Sequence, residues 1–379
     1  MKIVIDLTYT PSGGSLTQIL NMIEEFNFID DIDLTIYSKE SNCKLLNNVV
    51  INDQVVFSRM ANFSVFTRLI WGQLILPFKL KSVGADILFC PGNISPIFSP
   101  VMTVVWIGTI GPFFKDFYKN FKISDQFKLY INKIFMIGSS LKSDAVIFES
   151  SFTKNLFIKK YGVKNDKSYV INVGFDKYFL NNTSLKNNKI FSDFIDDNYF
   201  LCVSHLYPYK NIIRLLVAFK QVNDESGGSL KLVIAGSRDY YHYNKKIEIC
   251  ILNLGIENNV ILLGRVEKAD LNSLYRNAIA LVFPSPFENF AYTLVEAMSC
   301  GTPIVCANTT AMPETCGEAA LYFDPYKVEE ISEKLSLVET DIELRQKLSA
   351  KSLSRSFELP NYKEVTLETL NIMKNLVDG

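Results

Sequence analysis

Two glutamates within one short stretch have the chemistry to hold hydroxyl groups or to stand beside a charged ligand. Glu288 follows a short apolar run that ends in Pro-Ser-Pro, and Glu296 lies further on within a helical pattern. Thr293 and Glu296 have the spacing of a capping box, which predicts a helix that begins beside them, with first-turn N–H groups open to an anion. A solvated loop acid and a simple cap would explain the same residues without any ligand.

The elements that must position these acids are predicted strands in the second half of the chain. Four apolar runs each end in a loop with polar or glycine residues. They cover 199–204, 230–235, 260–263 and the residues before the Pro-Ser-Pro turn. The carboxyl ends of parallel strands meet at one edge of a sheet. A cation, flexible glycines, a helix N-terminus and carboxylates at one edge are typical of a nucleotide diphosphate site. The loop residues concerned are His205, Lys210, Gly236, Arg238, Gly264, Arg265 and Glu288.

The first half of the chain alternates strands and helices in the same way. A strand over 3–7 precedes a loop with Gly13 and Gly14 and a helix over 16–26. The full G-x-G-x-x-G fingerprint is absent, so the glycine pair can form a ligand loop or only a tight turn. The alternation predicts a doubly wound parallel sheet. Its further strands are predicted at 34–37, 49–51, 87–90, 102–107, 145–148 and 170–171.

Length and composition are those of two domains. The chain has 379 residues, of which 48% are hydrophobic, so two full cores can form. An Asn- and Ser-rich stretch over 181–198 has the composition of a linker. We therefore expect an N-terminal domain over 1–180, a second domain over 181–358, and a C-terminal helix over 359–379 that crosses back to the first domain.

Charge and cysteine usage exclude several classes of function. The formal net charge of −1 provides no overall field that would recruit nucleic acid. Seven cysteines without a C-x-x-C pair indicate free thiols in a reducing cytoplasm and argue against a structural zinc. Only two histidines are present, which argues against a multi-histidine metal site.

One basic and aromatic segment, from Phe113 to Lys142, stands out from the rest of the chain. It contains eight aromatic residues and six lysines against only Asp116 and Asp125. Aromatic residues beside lysines on a helix are typical of a segment that lies in the headgroup layer of an anionic membrane. A helix whose aromatic residues face the core while its lysines stay solvated would have the same composition. We favour the membrane surface, because one core-facing stripe needs fewer aromatic residues.

The second half resembles the C-terminal domain of the group 1 retaining glycosyltransferases of GT-B fold. That family is marked by two glutamates separated by seven residues, here Glu288 and Glu296 within FENFAYTLVEAMSCGTPIV, followed by MPETCGEAALYFDP. Two further stretches, FLCVSHLYPYKNIIRLLVAF and VILLGRVEKADLNSLYRNA, are also similar to family blocks. The resemblance is strong over about 199–326 and weaker, though in register, over 1–180.

The resemblance implies a role for each matching residue. Lys210 would bind the donor diphosphate with His205 beside it, Glu296 would bind the ribose hydroxyls, and Glu288 would lie by the transferred hexose as the catalytic residue. The Gly13 and Gly14 loop would face the same cleft from the other domain. The nucleobase would contact the backbone of Gly264, Arg265 and Val266, and N–H groups of Phe290, Ala291, Tyr292 and Thr293 would bind phosphate or sugar.

Three departures from the family pattern affect the expected site. His205 replaces the usual arginine, so the second cation at the diphosphate is lost or becomes dependent on pH. Asn289 and Ala291 replace glycines and narrow the loop around the sugar. Gly108 occupies the place where many members have a histidine that contacts the sugar or acceptor, which affects the contacts made by the first domain.

The resemblance predicts an α/β protein of GT-B fold, with two doubly wound Rossmann-like domains that face a central cleft. It predicts a metal-independent hexosyltransferase that uses a nucleotide diphosphate sugar as donor and no other cofactor. The expected acceptor is a glycan or lipid-linked glycan of bacterial surface polysaccharide, such as lipopolysaccharide O-antigen, at the inner face of the cell membrane. A nucleotide-sugar epimerase of the same fold and a non-catalytic glycosyltransferase-like partner protein are the alternatives.

Overall fold

The computed structural model describes the whole chain except residues 11–13, 51–53 and 181–197. The chain divides into two compact units, one formed by Met1–Gly174 with Pro360–Gly379 and the other by Phe175–Leu359. The boundaries expected from the sequence were 180/181 and 358/359. Gly13 and residues 181–197 of the expected linker lie outside the described residues.

The first unit is built on a sheet of seven parallel strands in the order β3-β2-β1-β4-β5-β6-β7. The order reverses between β1 and β4, and ligands of such sheets bind at the carboxyl ends of the strands near this point. The strands are β1 Lys2–Asp6, β2 Asp33–Ser38, β3 Gln54–Phe57, β4 Ile87–Cys90, β5 Met102–Ile107, β6 Ala145–Phe148 and β7 Ser168–Val170.

Helices cover both faces of this sheet, and a π-helical turn links two of them. Trp71–Ile75 forms that turn, which joins two short α-helices into a continuous helical run. The helices are α1 Gly14–Phe26, α2 Cys43–Val49, α3 Met60–Phe63, α4 Val65–Ile70, α5 Leu76–Val83, α6 Lys115–Tyr118, α7 Ile123–Lys142 and α8 Ser151–Tyr161, with 3-10 turns at Glu40–Asn42, Gly111–Phe113 and Asn165–Lys167.

The strand predicted at 49–51 is wrong. Val49 is the last residue of α2, and the N–H of Val50 still donates to the carbonyl of Leu46 at 2.9 Å. Ile51 lies outside the described residues. The edge strand β3 begins only at Gln54, because the apolar residues of 45–50 serve the helix and not the sheet.

The second unit has a sheet of six parallel strands in the order β10-β9-β8-β11-β12-β13. Its order reverses between β8 and β11. The strands are β8 Tyr199–Val203, β9 Lys231–Ala235, β10 Val260–Gly264, β11 Ala280–Phe283, β12 Ile304–Ala307 and β13 Ala320–Phe323. The helices are α9 Ile212–Glu225, α10 Tyr241–Leu254, α11 Lys268–Asn277, α12 Tyr292–Ser299, α13 Met312–Cys316, α14 Val328–Thr340 and α15 Ile342–Ser356, with 3-10 turns at Lys177–Leu180, Pro208–Lys210 and Gly317–Ala319.

The last helix, α16 Tyr362–Asp378, packs in the core of the first unit. Side chains alternate along β1, so that Ile3 and Ile5 face one apolar cluster and Val4 faces another on the opposite side of the sheet. α1 and α16 cover the first side, while α5 and α7 cover the second. Among the described residues, no helix combines the length and apolar character that crossing a membrane requires.

Candidate functional site

The loops after β8 and β11 carry the strongest candidate residues, and these two strands flank the point where the sheet order reverses. Lys210 ends the 3-10 turn after β8, and Glu288 lies in the loop after β11. The sequence-based expectation that these loops share one edge follows from the parallel pairing of the two strands.

Lys210 and Glu288 form an ion pair at this edge. The Nζ of Lys210 lies 2.5 Å from Oε1 of Glu288, and both side chains are mostly buried, with 13% and 14% exposed. Ser285 Oγ donates to the same carboxylate oxygen at 2.5 Å. Burial is the largest single influence on the pKa of Lys210 and lowers it, but the charge and hydrogen bond of the Glu288 carboxylate act together with Tyr209 to raise it, so that the net pKa is raised. Lys210 is therefore a firmly protonated cation whose present counterion is Glu288.

The loop that presents Lys210 is held in place by its neighbour Asn211. Asn211 has a left-handed backbone with φ of 63°, which asparagine tolerates better than most residues. Its side-chain amide donates to the carbonyls of Pro284 at 3.2 Å and Pro325 at 2.7 Å. Asn211 thus joins the Lys210 loop to the Glu288 loop, and it is a site residue that sequence reasoning missed.

The neighbouring loops come close together through glycine. The N–H of Gly236, after β9, donates to the carbonyl of Gly264 at 2.7 Å. Gly236 has φ of 149°, and a Cβ there would lie 1.9 Å from the carbonyl oxygen of Ser204, so no other residue fits. Gly264 also has a positive φ, 73°, but open space surrounds it.

His205 and Arg265 lie at the exposed rim of the same edge. Burial lowers the pKa of His205, and the nearby cations Lys210 and Arg265 lower it further. The lowered pKa favours the neutral imidazole at pH 7. Arg265 donates to Asp239 at 3.3 Å, and Arg238 pairs with Glu248. Exposed pairs of this kind are weak and can rearrange around a ligand.

Glu296 of α12 is held by a tyrosine of the preceding helix, α11. The hydroxyl of Tyr275, which is fully buried at the end of α11, donates to Oε2 of Glu296 at 3.0 Å. Burial raises the pKa of Glu296 to about 7, and the Tyr275 hydrogen bond and the Lys268 cation lower it only in part. Glu296 therefore exchanges a proton near neutral pH, a property with no counterpart in its sequence pattern.

The capping box predicted for Thr293 and Glu296 is wrong. α12 begins one residue earlier, at Tyr292, and its N-cap is Ala291, which makes no side-chain cap. Thr293 is the second residue of the helix, and Glu296 bonds with Tyr275 instead. The two acids nevertheless lie on either side of the helix start, as expected. Phe290 and Ala291, two other predicted residues of this loop, are both buried.

The first unit places its predicted residues at the carboxyl edge of its own sheet. Gly14 is the first residue of α1, and Gly13 is not described. The N–H of Gly108, after β5, donates to Oδ1 of Asn93 at 2.7 Å. A Cβ at Gly108 would lie 2.8 Å from Oε1 of Glu149, which accepts a bond from Trp106 Nε1 at 3.1 Å. The buried Glu149 carboxylate therefore fills the space of a side chain at 108, and sequence reasoning missed it.

The fold defined by these two sheets is that of the GT-B glycosyltransferases. A sucrose-phosphate synthase from Thermosynechococcus elongatus superposes with a TM-score of 0.79 at 15% identity, over 100% of this chain and 99% of that one. A glycosyltransferase from Rickettsia africae gives a TM-score of 0.76 at 16% identity, over 100% and 99%. WaaG, a glycosyltransferase involved in lipopolysaccharide biosynthesis, gives 0.74 at 14% identity over the full length of both chains.

Residues 186–355 match the family model described as glycosyl transferases group 1. O-antigen chain mannosyltransferase B of Escherichia coli is 32% identical over 47% of this chain and 46% of its own length. O-antigen chain mannosyltransferase RfbU of Salmonella typhimurium is 28% identical over 52% of each chain. The chain thus spans about half the length of these relatives.

Proposed function

We propose that the protein is a glycosyltransferase that moves a hexose from a nucleotide diphosphate sugar to a glycan acceptor in bacterial surface polysaccharide synthesis. The observation that carries the proposal is the Lys210–Glu288 ion pair at the reversal point of the second sheet. A protonated lysine at the carboxyl edge of a parallel sheet is suited to a diphosphate. The two relatives described above are mannosyltransferases, so the proposed hexose is mannose.

The proposed roles are those implied by the family resemblance, and the positions of the side chains support them. Lys210 binds the diphosphate, Glu296 accepts hydrogen bonds from the ribose hydroxyls, and Glu288 lies beside the hexose. The backbone of Gly264, Arg265 and Val266 contacts the base. The N–H groups of the loop and first turn from Phe290 to Thr293 bind phosphate or sugar, since a helix N-terminus favours anions. A lysine and a helix terminus can stabilise the leaving diphosphate without a metal ion.

Transfer is proposed to proceed with retention and with assistance from the donor itself. The bond from the anomeric carbon to the diphosphate oxygen breaks, and its electron pair stays on the diphosphate. The acceptor hydroxyl forms the new bond on the same face and gives its proton to the departing diphosphate. Because charge grows on the diphosphate during this step, contacts with Lys210 strengthen as the reaction proceeds.

The test is a transfer assay with nucleotide diphosphate mannose and a mannose-containing glycan. We expect turnover in the wild type and loss of donor affinity of about tenfold or more in Lys210→Ala and in Glu296→Ala, because each removes charged or buried hydrogen bonds. Lys220→Ala, which removes an exposed lysine from an ion pair on α9, is the matched control and should retain activity.

The same assay separates the two alternatives. An epimer formed from donor in the absence of acceptor would identify a nucleotide-sugar epimerase. Donor binding without any turnover in the wild type would identify a non-catalytic partner protein. Either result would contradict the proposed transfer.

The acceptor is proposed to be lipid-linked, with the protein cytoplasmic and peripheral at the inner face of the cell membrane. Support comes from α7, within the basic and aromatic segment Phe113 to Lys142. Ile123, Phe127, Tyr130 and Ile134 recur every three or four residues along α7 and are 51% to 85% exposed. An exposed apolar stripe on a lysine-rich helix suits a headgroup layer. The absence of flotation with anionic vesicles would contradict this part of the proposal.

A further inference from the structure

The helical run from α4 to α5 carries a second exposed apolar stripe. Phe66, Ile70, Leu74 and Phe78 recur every four residues and are 46% to 76% exposed. A repeat of four drifts around a regular α-helix, but the π-turn at Trp71–Ile75 adds a residue to the turn and counters the drift. The opposite side of the run is buried through Leu69, Trp71, Leu76 and Leu80. The run is thus apolar on its solvent side as well as its core side.

This stripe and the stripe of α7 lie on the same side of the first sheet. Trp71, Leu76 and Leu80 pack in one apolar cluster with Met136 of α7. Both helices also bind the loop over 91–101. Gln73 donates to the carbonyl of Ser95 at 3.0 Å and accepts from the N–H of Ile97 at 2.9 Å. From the other helix, Ser139 Oγ accepts the N–H of Ser95 at 2.9 Å.

The loop between the two helices adds another apolar side chain. Phe98 is 81% exposed, and Ile97 Cδ1 approaches α7 at Gly138, where a Cβ would lie only 2.9 Å away. Exposed apolar residues that occur singly are ordinary, but a set of this size on one side of a sheet is typical of an interaction surface. We call the set the two-helix face; it consists of Phe66, Ile70, Leu74, Phe78, Phe98, Ile123, Phe127, Tyr130 and Ile134.

The charge around this face selects its partner. Residues 60–142 contain nine lysines and arginines against three aspartates, although the whole chain has a net charge of −1. Lys79 and Lys81 flank the stripe of α5, and Lys122 and Lys128 flank that of α7. Long lysine side chains can extend to headgroups while their neighbours enter the apolar layer. A second copy of the same face would bring like charges together, which disfavours self-association.

We propose that the two-helix face docks on an anionic lipid bilayer, with the stripe of α4 and α5 as an anchor additional to α7. This rests on the membrane-bound acceptor of the proposed function. Two anchors on one rigid side of the unit would fix its orientation on the bilayer, whereas one helix would allow it to roll about the helix axis. The carboxyl edge of the first sheet would then have a defined height above the lipid.

The test is co-sedimentation of the full chain with vesicles of phosphatidylcholine alone or with phosphatidylglycerol. Leu74→Ser with Phe78→Ser tests the new anchor without changing charge, and Phe127→Ser with Ile134→Ser tests α7. We expect each pair to weaken binding to the anionic vesicles about tenfold, and all four changes to abolish it. Phe28→Ser is the matched control, because Phe28 is also 76% exposed in the first unit but follows α1 on the other side of the sheet.

Three outcomes would overturn the proposal. One is that the Leu74→Ser, Phe78→Ser variant binds anionic vesicles as well as the wild type does while the Phe127→Ser, Ile134→Ser variant does not bind. That result would leave α7 as the single anchor. Another is wild-type protein that binds neither vesicle. The third is a concentration-dependent dimer that the Leu74 and Phe78 pair abolishes, which would make the face a contact between copies. Transfer to a water-soluble acceptor should persist in every variant, and its absence in the wild type would contradict the proposed function instead.

Discussion

Among the residues that the structure describes, Lys210 pairs with one anion, Glu288, and the proposed donor diphosphate would be a second. The two anions compete for the same Nζ, which lies 2.5 Å from the carboxylate. The internal pair keeps the lysine protonated and in place in the absence of donor. The diphosphate must offer enough additional charge and hydrogen bonds to replace or share that partner.

Neutralising Glu288 should therefore tighten the binding of a nucleoside diphosphate that carries no sugar. In Glu288→Gln the amide keeps the shape of the side chain but no longer neutralises Lys210, so we expect affinity to rise about fivefold. Lys210→Ala should lower it about tenfold or more. Isothermal titration calorimetry of both variants measures this, and weaker binding by Glu288→Gln would show that the glutamate supports the phosphate site.

Glu296 predicts a pH dependence whose sign can be worked out. Its pKa is raised to about 7 in the folded state from an ordinary 4.5, so the folded protein holds an extra proton between these values. Its contribution to stability therefore falls as pH rises from about 4.5 through about 7. Glu296→Gln removes this loss. Between pH 4.5 and pH 8, the free energy of unfolding of the variant should therefore gain up to about 3 kcal/mol on that of the wild type.

Urea unfolding of both proteins at several pH values checks the Glu296 prediction. Tyr275→Phe is the companion variant. It removes the hydrogen bond that lowers the pKa of Glu296, so the pH window of the stability loss should move upward. A stability difference between wild type and Glu296→Gln that does not vary with pH would contradict the assignment.

The sequence predicted which residues lie at the site better than it predicted which of them bond to each other. The sequence placed Lys210 and Glu288 after the strands β8 and β11, because each follows a clear apolar run, and it placed Glu296 in the helix that comes next. It could not reveal that Lys210 pairs with Glu288, since 78 positions separate them and only the folded sheet brings them together. The capping spacing misled for a related reason, because residues three apart are neighbours throughout a helix as well as at its start.

At the scale of elements, two loops of the second sheet contain glycines with a positive φ, Gly236 and Gly264, and only Gly236 is also crowded by a neighbouring carbonyl. Gly236→Ala meets both an unfavourable φ and the carbonyl of Ser204 at 1.9 Å, and we expect a loss of about 3 kcal/mol. Gly264→Ala meets only its unfavourable φ in open space, and about 1 kcal/mol is expected. Chemical denaturation of the two variants side by side measures the difference, and equal losses would contradict the close approach at Gly236.

Strands could be predicted from the sequence where an apolar run did not fit a helix equally well. The predicted limits 87–90, 102–107 and 145–148 coincide with β4, β5 and β6, which are buried on both faces except at Met102, the first residue of β5. The edge strand β3 was misplaced, because a short run such as 49–51 suits a helix end equally well. The exposed stripe of α4 and α5 went unrecognised, because its core-facing and solvent-facing apolar residues merge into one hydrophobic segment in the sequence.

For the whole molecule, charge is distributed unevenly between a basic region and a more acidic remainder. The net charge of −1 argues against a global field, yet it conceals a surplus of six positive charges within residues 60–142. Four of these lysines, Lys79, Lys81, Lys122 and Lys128, lie next to the exposed apolar stripes in the sequence of α5 and α7. A composition average therefore predicts how a protein behaves toward distant charges but not how one face behaves toward a membrane.

The two units have separate cores, and each should lose stability independently of the other. Leu370 of α16 is buried in the core of the first unit, and Leu335 of α14 is buried in that of the second. Truncation of either to alanine should cost its own unit about 2–4 kcal/mol, because a cavity replaces a packed side chain.

Hydrogen exchange resolved along the sequence distinguishes the two effects. Leu370→Ala should speed exchange in β1 and β4 while β8 and β9 keep their protection, and Leu335→Ala should do the reverse. The C-terminal helix makes this informative, since Leu370 follows the whole second unit in the chain but packs with the first. If Leu370→Ala instead sped exchange equally in both sheets, the units would unfold as one cooperative body.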